Sequence, residues 1–256
     1  MTSVSRFPDR FRAREPLFAP FFRTPAHTLA EVMSRAPVDA VCIDTEHAPL
    51  DRADVDALLL AFRAGSMPTL VRVSDGSPNT ILQALDGGAD GVVVPHVETG
   101  DAAEAVANAA TYRTSSRRGC RGYAGATRAG GYGARTLAEN IALADPLTIG
   151  QIESATAVAN AADICAAPLD CIFIGRSDLT VSLGGTDPNA PEVMDAVELV
   201  ARTAAEVGRV VGTFTSDLSE LPRLRELGIS FFLLGSEHGF LLDGARSFAE
   251  RVREHL

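Results

Sequence analysis

The segment CIFIGRSD, residues 171–178, joins a continuous apolar run to a turn that carries an arginine and an aspartate. Two further segments have the same form, VCIDTEH at 41–47 and TIGQIE at 148–153. Short continuous apolar runs are typical of parallel strands covered by helices. Ionisable groups at the ends of such strands are costly to bury unless a metal, a partner or a substrate compensates them. The three segments therefore predict one site assembled from distant parts of the sequence.

The same pattern extends over the whole chain. It predicts eight strands, at 17–22, 40–43, 69–73, 91–94, 147–152, 171–174, 210–213 and 231–234. Helical patterns lie between them, at 28–35, 55–64, 80–87, 101–110, 155–166, 191–207 and 219–227. Eight β/α units in 256 residues indicate an α/β fold, a (β/α)₈ TIM barrel, as a single domain over 1–256 with an N-terminal arm at 1–16. A doubly wound open sheet is the alternative, but no GxGxxG motif follows the first strand.

The composition of the chain argues against several classes of partner and mechanism. The formal net charge of −10 disfavours nucleic acid as a partner, because phosphate binding needs a basic face. The chain contains no lysine, which excludes an imine mechanism through a side-chain amine. The four cysteines show no CxxC spacing, no apolar region of a secretory signal follows the first sixteen residues, and no apolar stretch is long enough to cross a bilayer. A soluble cytoplasmic protein with no membrane partner is expected.

In a TIM barrel the chemistry belongs at the C-terminal ends of the strands. Candidate side chains are predicted there at Asp44, Glu46, His47, Arg72, His96, Gln151, Glu153 and Asp178. Glu153 and Asp178 offer the hard oxygen ligands that Mg²⁺ or Mn²⁺ selects. His47 is the nearest candidate for moving a proton at neutral pH.

Five segments occur in order at suitable separations: IDTEHAPL at 43–50, VRV at 71–73, LDGGADGVVVPHV at 85–97, QIES at 151–154 and FIGRSDLTVSLG at 173–184. Together they resemble the HpcH/HpaI aldolase family, metal-dependent class II pyruvate aldolases on a TIM barrel. The resemblance runs from about residue 24 to residue 245.

The resemblance implies a role for particular residues. A divalent cation (Mg²⁺, Mn²⁺ or Co²⁺) would be bound by Glu153 and Asp178, with Gln151 beside it as a substrate-binding residue. The catalytic histidine of the D-x-E-H motif matches His47, with Asp44 next to it, and the arginine that ends the third strand matches Arg72. The family's assembly is a hexamer, a trimer of dimers, in which an aspartate matching Asp86 completes a neighbour's site.

The chain departs from the family in two places. Where members often carry Y-P-P-x-G-x-R-G, it has YRTSSRRGCRG at 112–122, and where the eighth strand often ends in G-x-D it has GSEH at 235–238. Both departures put the specificity for the acceptor aldehyde in doubt. The glycine- and arginine-rich stretch at 112–134 is a loop by composition. It is interpreted as a lid or substrate-binding element, with an oligomer contact or a mobile excursion as the alternative.

These residue types suit the aldol cleavage of a 4-hydroxy-2-oxo acid into an aldehyde and pyruvate or hydroxypyruvate. Arg72 would stabilise the enolate oxygen, because a guanidinium keeps its proton. His47 would act on the C4 hydroxyl, with its tautomer held by Asp44 or Asp86. Gly175 and the backbone amides of Ser177 and Asp178 would bind the substrate carboxylate.

Other interpretations of these residues stay open at this stage. Glu153 or Asp178 could instead cap a helix, and Arg72 could simply pair with Glu46 or Asp44. His96 and His238 lie at strand ends without an assigned role.

Other functions also stay open. An oxaloacetate decarboxylase or a CoA-ester lyase would use the same enolate, and an inactive barrel could serve as a binding or assembly protein. Apolar residues at 18–22 and 240–242 could form an oligomer contact or fill the floor of the barrel.

Overall fold

Eight parallel strands close into a barrel in the computed structural model, which describes residues 6–256. Each strand pairs with its neighbours in chain order, and the eighth pairs with the first, so the predicted TIM barrel is confirmed. The strands are β1 Leu17–Phe22, β2 Val41–Asp44, β3 Thr69–Arg72, β4 Gly91–Val94, β5 Leu147–Ile152, β6 Cys171–Ile174, β7 Val210–Thr215 and β8 Phe231–Ser236. Parallel strands in a closed barrel point their C-terminal ends to one rim.

Helices connect the strands and cover the outside of the barrel. They are α1 Phe7–Arg12, α2 His27–Met33, α3 Arg52–Ala64, α4 Pro78–Asp86, α5 Gly100–Ala110, α6 Leu137–Leu143, α7 Ala155–Ala159, α8 Ala161–Ala166, α9 Arg176–Ser182, α10 Pro191–Glu206, α11 Leu221–Glu226 and α12 Glu237–Arg253. The helix predicted at 155–166 is interrupted at Asn160. Within residues 6–256, no helix is long and apolar enough to cross a membrane.

The floor of the barrel is filled by the N-terminal segment. Residues 1–5 of the predicted arm lie outside the described part, but α1 packs into the interior cluster through Phe7 and Phe11. The ring of Phe11 lies 4.9 Å from that of Phe231, centroid to centroid. Phe21 and Phe22 of β1 are buried as well. Most of the N-terminal apolar residues therefore belong to the core of the barrel.

The last helix is poorly covered by the rest of the chain. α12 lies against β8 and β1, and Glu237 is its single buried residue. Its apolar side chains are largely exposed, with Leu241 at 67% and Phe248 at 61% of their full area. Single exposed apolar side chains are normal, but a row of them along one helix marks an interaction surface.

Candidate active site

A buried ion pair joins the ends of β2 and β3. Asp44 and Arg72 are partners in the register of these strands, and Arg72 Nε and Nη2 donate to the two carboxylate oxygens of Asp44 at 3.0 and 2.8 Å. Asp44 also accepts from Arg23 Nε at 2.8 Å, and the guanidinium of Arg72 lies 4.4 Å from the ring centre of Phe21. The planar, bidentate geometry fixes the direction of the arginine.

Burial and hydrogen bonding act against each other at Asp44. Burial disfavours the charged carboxylate, but the hydrogen bonds and the charge of Arg72, with further hydrogen bonds from the His47 amide and Arg23, outweigh it and lower the pKa of Asp44. Burial would likewise disfavour the charge on Arg72, yet Asp44 raises the pKa of the guanidinium above its usual value. Both groups are therefore charged at neutral pH.

Two carboxylates and an imidazole meet beside this pair. His96 Nδ1 lies 3.0 Å from Glu153 Oε1, and His96 Nε2 lies 3.3 Å from Glu46 Oε1. One donor atom from each of the three residues falls within 4.8 Å of the others, which is the spacing of a possible cation site. We name these three residues, Glu46, His96 and Glu153, the rim cluster.

Glu46 is the member of the rim cluster whose negative charge is disfavoured by its surroundings. Burial raises the pKa of its carboxyl, and the negative charge of Glu153 adds to this, whereas Arg72 opposes it. Glu46 Oε2 lies 3.2 Å from Arg72 Nη1 but forms no hydrogen bond within residues 6–256. A buried carboxylate oxygen without a hydrogen bond is costly and is a natural acceptor for a bound cation or a substrate hydroxyl. The carboxylate oxygens of the cluster therefore fit a hard divalent metal.

Glu153 is held from three neighbouring strands. Its Oε1 accepts from the backbone N–H of His96 at 2.7 Å, and its Oε2 accepts from Gln151 Nε2. A Cβ atom added at Gly175 would lie 2.9 Å from Glu153 Oε2, so only glycine fits at the end of β6. Gln151 Oε1 is buried and has no hydrogen-bond partner within the described residues. The loops after β4, β5 and β6 thus converge on one carboxylate.

The N-cap positions of the two neighbouring helices, α7 and α9, are occupied by residues other than Glu153 and Asp178. Ser154, not Glu153, is the N-cap of α7, since its hydroxyl accepts from the Ala157 N–H. Gly175 is at the N-cap position of α9, and Asp178 lies exposed in its first turn. The capping alternative is thereby removed for Glu153, while the pairing alternative for Arg72 describes a contact that does exist.

His47 is close to the site but not oriented as expected. Its side chain is 56% exposed, and the one carboxylate near its ring within residues 6–256 is Glu46, at 3.8 Å from Nε2. Asp44 accepts from the backbone N–H of His47 at 3.3 Å and makes no hydrogen bond to the imidazole. Within one chain, Asp44 thus shapes the loop that carries His47 and leaves its ring free.

Asp86 is the last residue of α4, the helix that follows β3 and precedes β4 in the chain. Its carboxylate accepts from Arg121 Nη2 at 2.9 Å. The loop at 112–134 runs outside α3 and α4, where Arg128 donates to the Gly87 carbonyl at 2.6 Å and pairs with Asp56 at 2.9 Å. In the described chain, its hydrogen bonds do not reach the rim cluster, so its predicted role as a lid has no support from these contacts.

Arg23 was not singled out from the sequence, and His238, like His96, had no assigned role. Arg23, directly after β1, donates to Asp44, and its backbone N–H donates to the buried carboxylate of Glu237 at 2.7 Å. His238 Nε2 lies 2.8 Å from the Thr24 hydroxyl. Arg23 was detectable by the same rule that found the other candidates, because it follows a strand directly.

Comparison with known proteins shows the family of this chain. A family model described as HpcH/HpaI aldolase/citrate lyase matches residues 17–243. The chain belongs to this family. The hydroxypyruvate/pyruvate aldolase of Paraburkholderia phytofirmans is 32% identical over 257 residues, covering 98% of this chain and 99% of that protein. The enzyme of the same name from Cupriavidus necator is 33% identical, with 99% and 94% covered.

A solved structure supports both the fold and the family. The crystal structure of an HpcH/HpaI aldolase/citrate lyase family protein from Burkholderia cenocepacia J2315 matches with a TM-score of 0.90 at 32% identity, over 98% of this chain and 100% of that one. With the aldolase relatives, it establishes this HpcH/HpaI family member as an enzyme, a carbon–carbon lyase of the aldolase type.

We predict that Asp44→Asn lowers the free energy of unfolding of this aldolase by about 3–5 kcal/mol at pH 7, because it leaves the buried Arg72 charge unpaired. The lowered pKa of Asp44 means that its contribution is complete above about pH 5 and is lost as the pH falls below about 4. Urea unfolding between pH 7 and pH 3 should show the gap between variant and wild type closing with acidification. Asp243→Asn, at an exposed position, is the control. Equal stability of Asp44→Asn and wild type at pH 7 would contradict the prediction.

Proposed function

We propose that the enzyme catalyses the reversible aldol cleavage of 4-hydroxy-2-oxo acids to pyruvate, or hydroxypyruvate, and an aldehyde. The observation that carries the proposal is the rim cluster beside the clamped Arg72, which offers a cation site and a fixed positive charge side by side. The names of the two bacterial relatives support hydroxypyruvate and pyruvate as nucleophiles. Hydroxypyruvate suits the same site because its extra hydroxyl lies on the carbon that forms the new bond.

We also propose a cytoplasmic location.

We propose Glu153 and Asp178 as the ligands of a divalent cation, Mg²⁺, Mn²⁺ or Co²⁺. Glu153 is buried and pre-positioned at the end of β5, and Asp178 follows the next strand, one turn into α9. Two carboxylates that follow adjacent strands would leave open coordination positions for substrate oxygens and water. When bound, the cation supplies Lewis-acid stabilisation of the charge that develops on the former carbonyl oxygen.

Arg72 stabilises negative charge on the substrate. Asp44 occupies its Nε and Nη2, so the guanidinium cannot turn away, and its remaining N–H groups stay available to an enolate oxygen. Because its pKa is raised, Arg72 keeps its proton throughout the reaction. Its role is fixed electrostatic stabilisation, which costs no reorganisation when the charge appears.

His47 transfers the proton. In the cleavage direction it removes the proton of the C4 hydroxyl, directly or through one water, while the C3–C4 bond breaks and its electrons pass to the C2 carbonyl. The resulting enolate becomes pyruvate when C3 takes up a proton from water. In the synthetic direction it returns that proton to the new alkoxide. Its exposed imidazole can reach a substrate that enters from the rim.

The carboxylate end of the substrate binds near α9. Gly175 has no side chain, so its backbone packs directly against the side chains of Glu153 and Gln151. The backbone N–H groups of Ser177 and Asp178 lie in the first turn of α9, where they have no partner within the helix. Gln151, buried beside Glu153, has a carbonyl oxygen without a partner in residues 6–256. These groups distinguish the oxo acid from the aldehyde.

We propose a homo-oligomer, a hexamer built as a trimer of dimers, in which Asp86 serves a neighbour's site. Two observations support it. Asp86 lies at the end of α4 that faces away from the chain's own rim, and α12 exposes Phe240, Leu241 and Leu242, which a second copy would bury. Burying three such side chains contributes several kcal/mol per contact at about 25 cal/mol per Å².

Chelation tests the metal. EDTA treatment should abolish pyruvate release from a panel of 4-hydroxy-2-oxo acids, and Mg²⁺, Mn²⁺ or Co²⁺ should restore it, because no lysine is available for an imine. Borohydride with pyruvate should leave the protein unlabelled. Activity that survives exhaustive chelation would refute the metal mechanism. Oxaloacetate in the same panel separates aldolase from decarboxylase activity.

Substitution separates the two catalytic side chains. His47→Ala should lower cleavage by roughly 10²–10⁴ and leave pyruvate binding unchanged, because it removes only proton transfer at C4. Arg72→Ala should in addition slow the exchange of the pyruvate methyl protons, which requires enolate stabilisation. His238→Ala, at another strand end, is the matched control. Near-normal cleavage by His47→Ala would assign the proton transfer to another residue.

Light scattering at low protein concentration tests the assembly. A hexamer is expected, and Asp86→Ala should reduce cleavage without dissociating it. Asp56→Ala removes a different loop-binding carboxylate outside the barrel and is the control for loss of loop contacts. A fully active monomer would rule out a site shared between subunits.

A further inference from the structure

His96 occupies a backbone conformation that suits glycine better. Its φ is +56°, in the left-handed region where a Cβ atom is strained. β4 ends at Val94, opposite Gly150, and the next backbone contact to β5 is the Val97 N–H bonded to the Gln151 carbonyl at 3.0 Å. In the regular ladder the Gln151 carbonyl would accept from the N–H of residue 96, so the segment from Pro95 to Val97 contains one extra residue relative to β5. Such bulges bend a strand and redirect a side chain.

The bulge directs the backbone N–H and both ring nitrogens of one residue at the rim cluster. The backbone N–H of His96 and its Nδ1 both approach Glu153 Oε1, at 2.7 and 3.0 Å, and Nε2 approaches Glu46 Oε1 at 3.3 Å. A glycine would relieve the backbone strain and keep the N–H contact, but it would lose both contacts of the ring. Strain that persists at a functional site points to a role for the side chain.

We propose that His96 is a positioning residue that pre-orients the metal-binding carboxylate of Glu153. Its N–H donates to Oε1 and its Nδ1 lies 3.0 Å from the same oxygen, while Gln151 Nε2 donates to Oε2, so both oxygens of the carboxylate are held in one orientation. The ring also spans Glu46 and Glu153 and keeps these two negative groups at a fixed separation. This inference rests on the proposed metal site, and it assigns to His96 the orientation of a ligand, not the ligation itself. Outer groups that orient metal ligands change metal affinity when they are removed.

Binding of Mn²⁺ alone to the metal-free protein tests the role, followed by electron paramagnetic resonance, with thermal unfolding of the same samples. His96→Gly should weaken Mn²⁺ binding by roughly 10–100-fold. Its metal-free Tm should be equal to or above that of wild type, because the strained φ is relieved. His96→Asn, which tolerates a positive φ and can still donate to Glu153, should fall between wild type and His96→Gly. His255→Asn, exposed near the C-terminus, is the control.

The outcomes separate this inference from the proposed function. Mn²⁺ affinity of His96→Gly within about twofold of wild type, with wild type binding normally, would overturn the positioning role alone. Nitrogen hyperfine coupling from an imidazole in wild type that disappears in His96→Gly would overturn it too, since His96 would then be a ligand. Wild-type protein that binds no Mn²⁺ would overturn the metal site and this inference together. A metal-free Tm of His96→Gly well below wild type would make the residue structural and contradict the proposal.

Discussion

The buried pair of Asp44 and Arg72 is the contact on which the active rim depends. A charged guanidinium inside a barrel is stable only when a carboxylate compensates it, and the strand register of β2 and β3 brings the two side chains opposite each other. Asp44 also accepts from the amides of Glu46 and His47, so it shapes the loop that follows its own strand. One carboxylate thus fixes both the positive charge of the site and the loop that carries His47.

Glu46 and Glu153 illustrate how the charges of the rim favour a bound cation. Two carboxylates that share one histidine repel each other, and burial adds to the cost, which appears as the raised pKa of Glu46. Arg72 offsets only part of this. A divalent ion bound at Glu153, as proposed above, would offset this repulsion, so the negative charges of the rim favour cation binding.

Most of the barrel could be predicted from the sequence, since all eight strands begin and end within two residues of their predicted bounds. A continuous apolar run identifies a strand without information about the strands beside it. Four helices were missed, among them the short α1 and α9 and the glycine-containing α12, because local pattern is weak there. The rim residues could be found by their position after strands. The left-handed φ of His96 could not, since nothing in a short histidine-containing segment predicts a bulge.

The orientation of side chains was also beyond the sequence. The expected contact between Asp44 and the ring of His47 is replaced by one to its backbone, and Asp86 is held by Arg121 in its own chain. If Asp86 serves a neighbouring subunit, the Arg121 contact competes with that role or positions the carboxylate for it. Arg121 is almost fully buried in its side chain and stacks on Tyr112, so it cannot swing away easily. The contacts therefore favour positioning: in the proposed assembly, the loop at 112–134 would hold Asp86 in place through Arg121 and would not close over the rim.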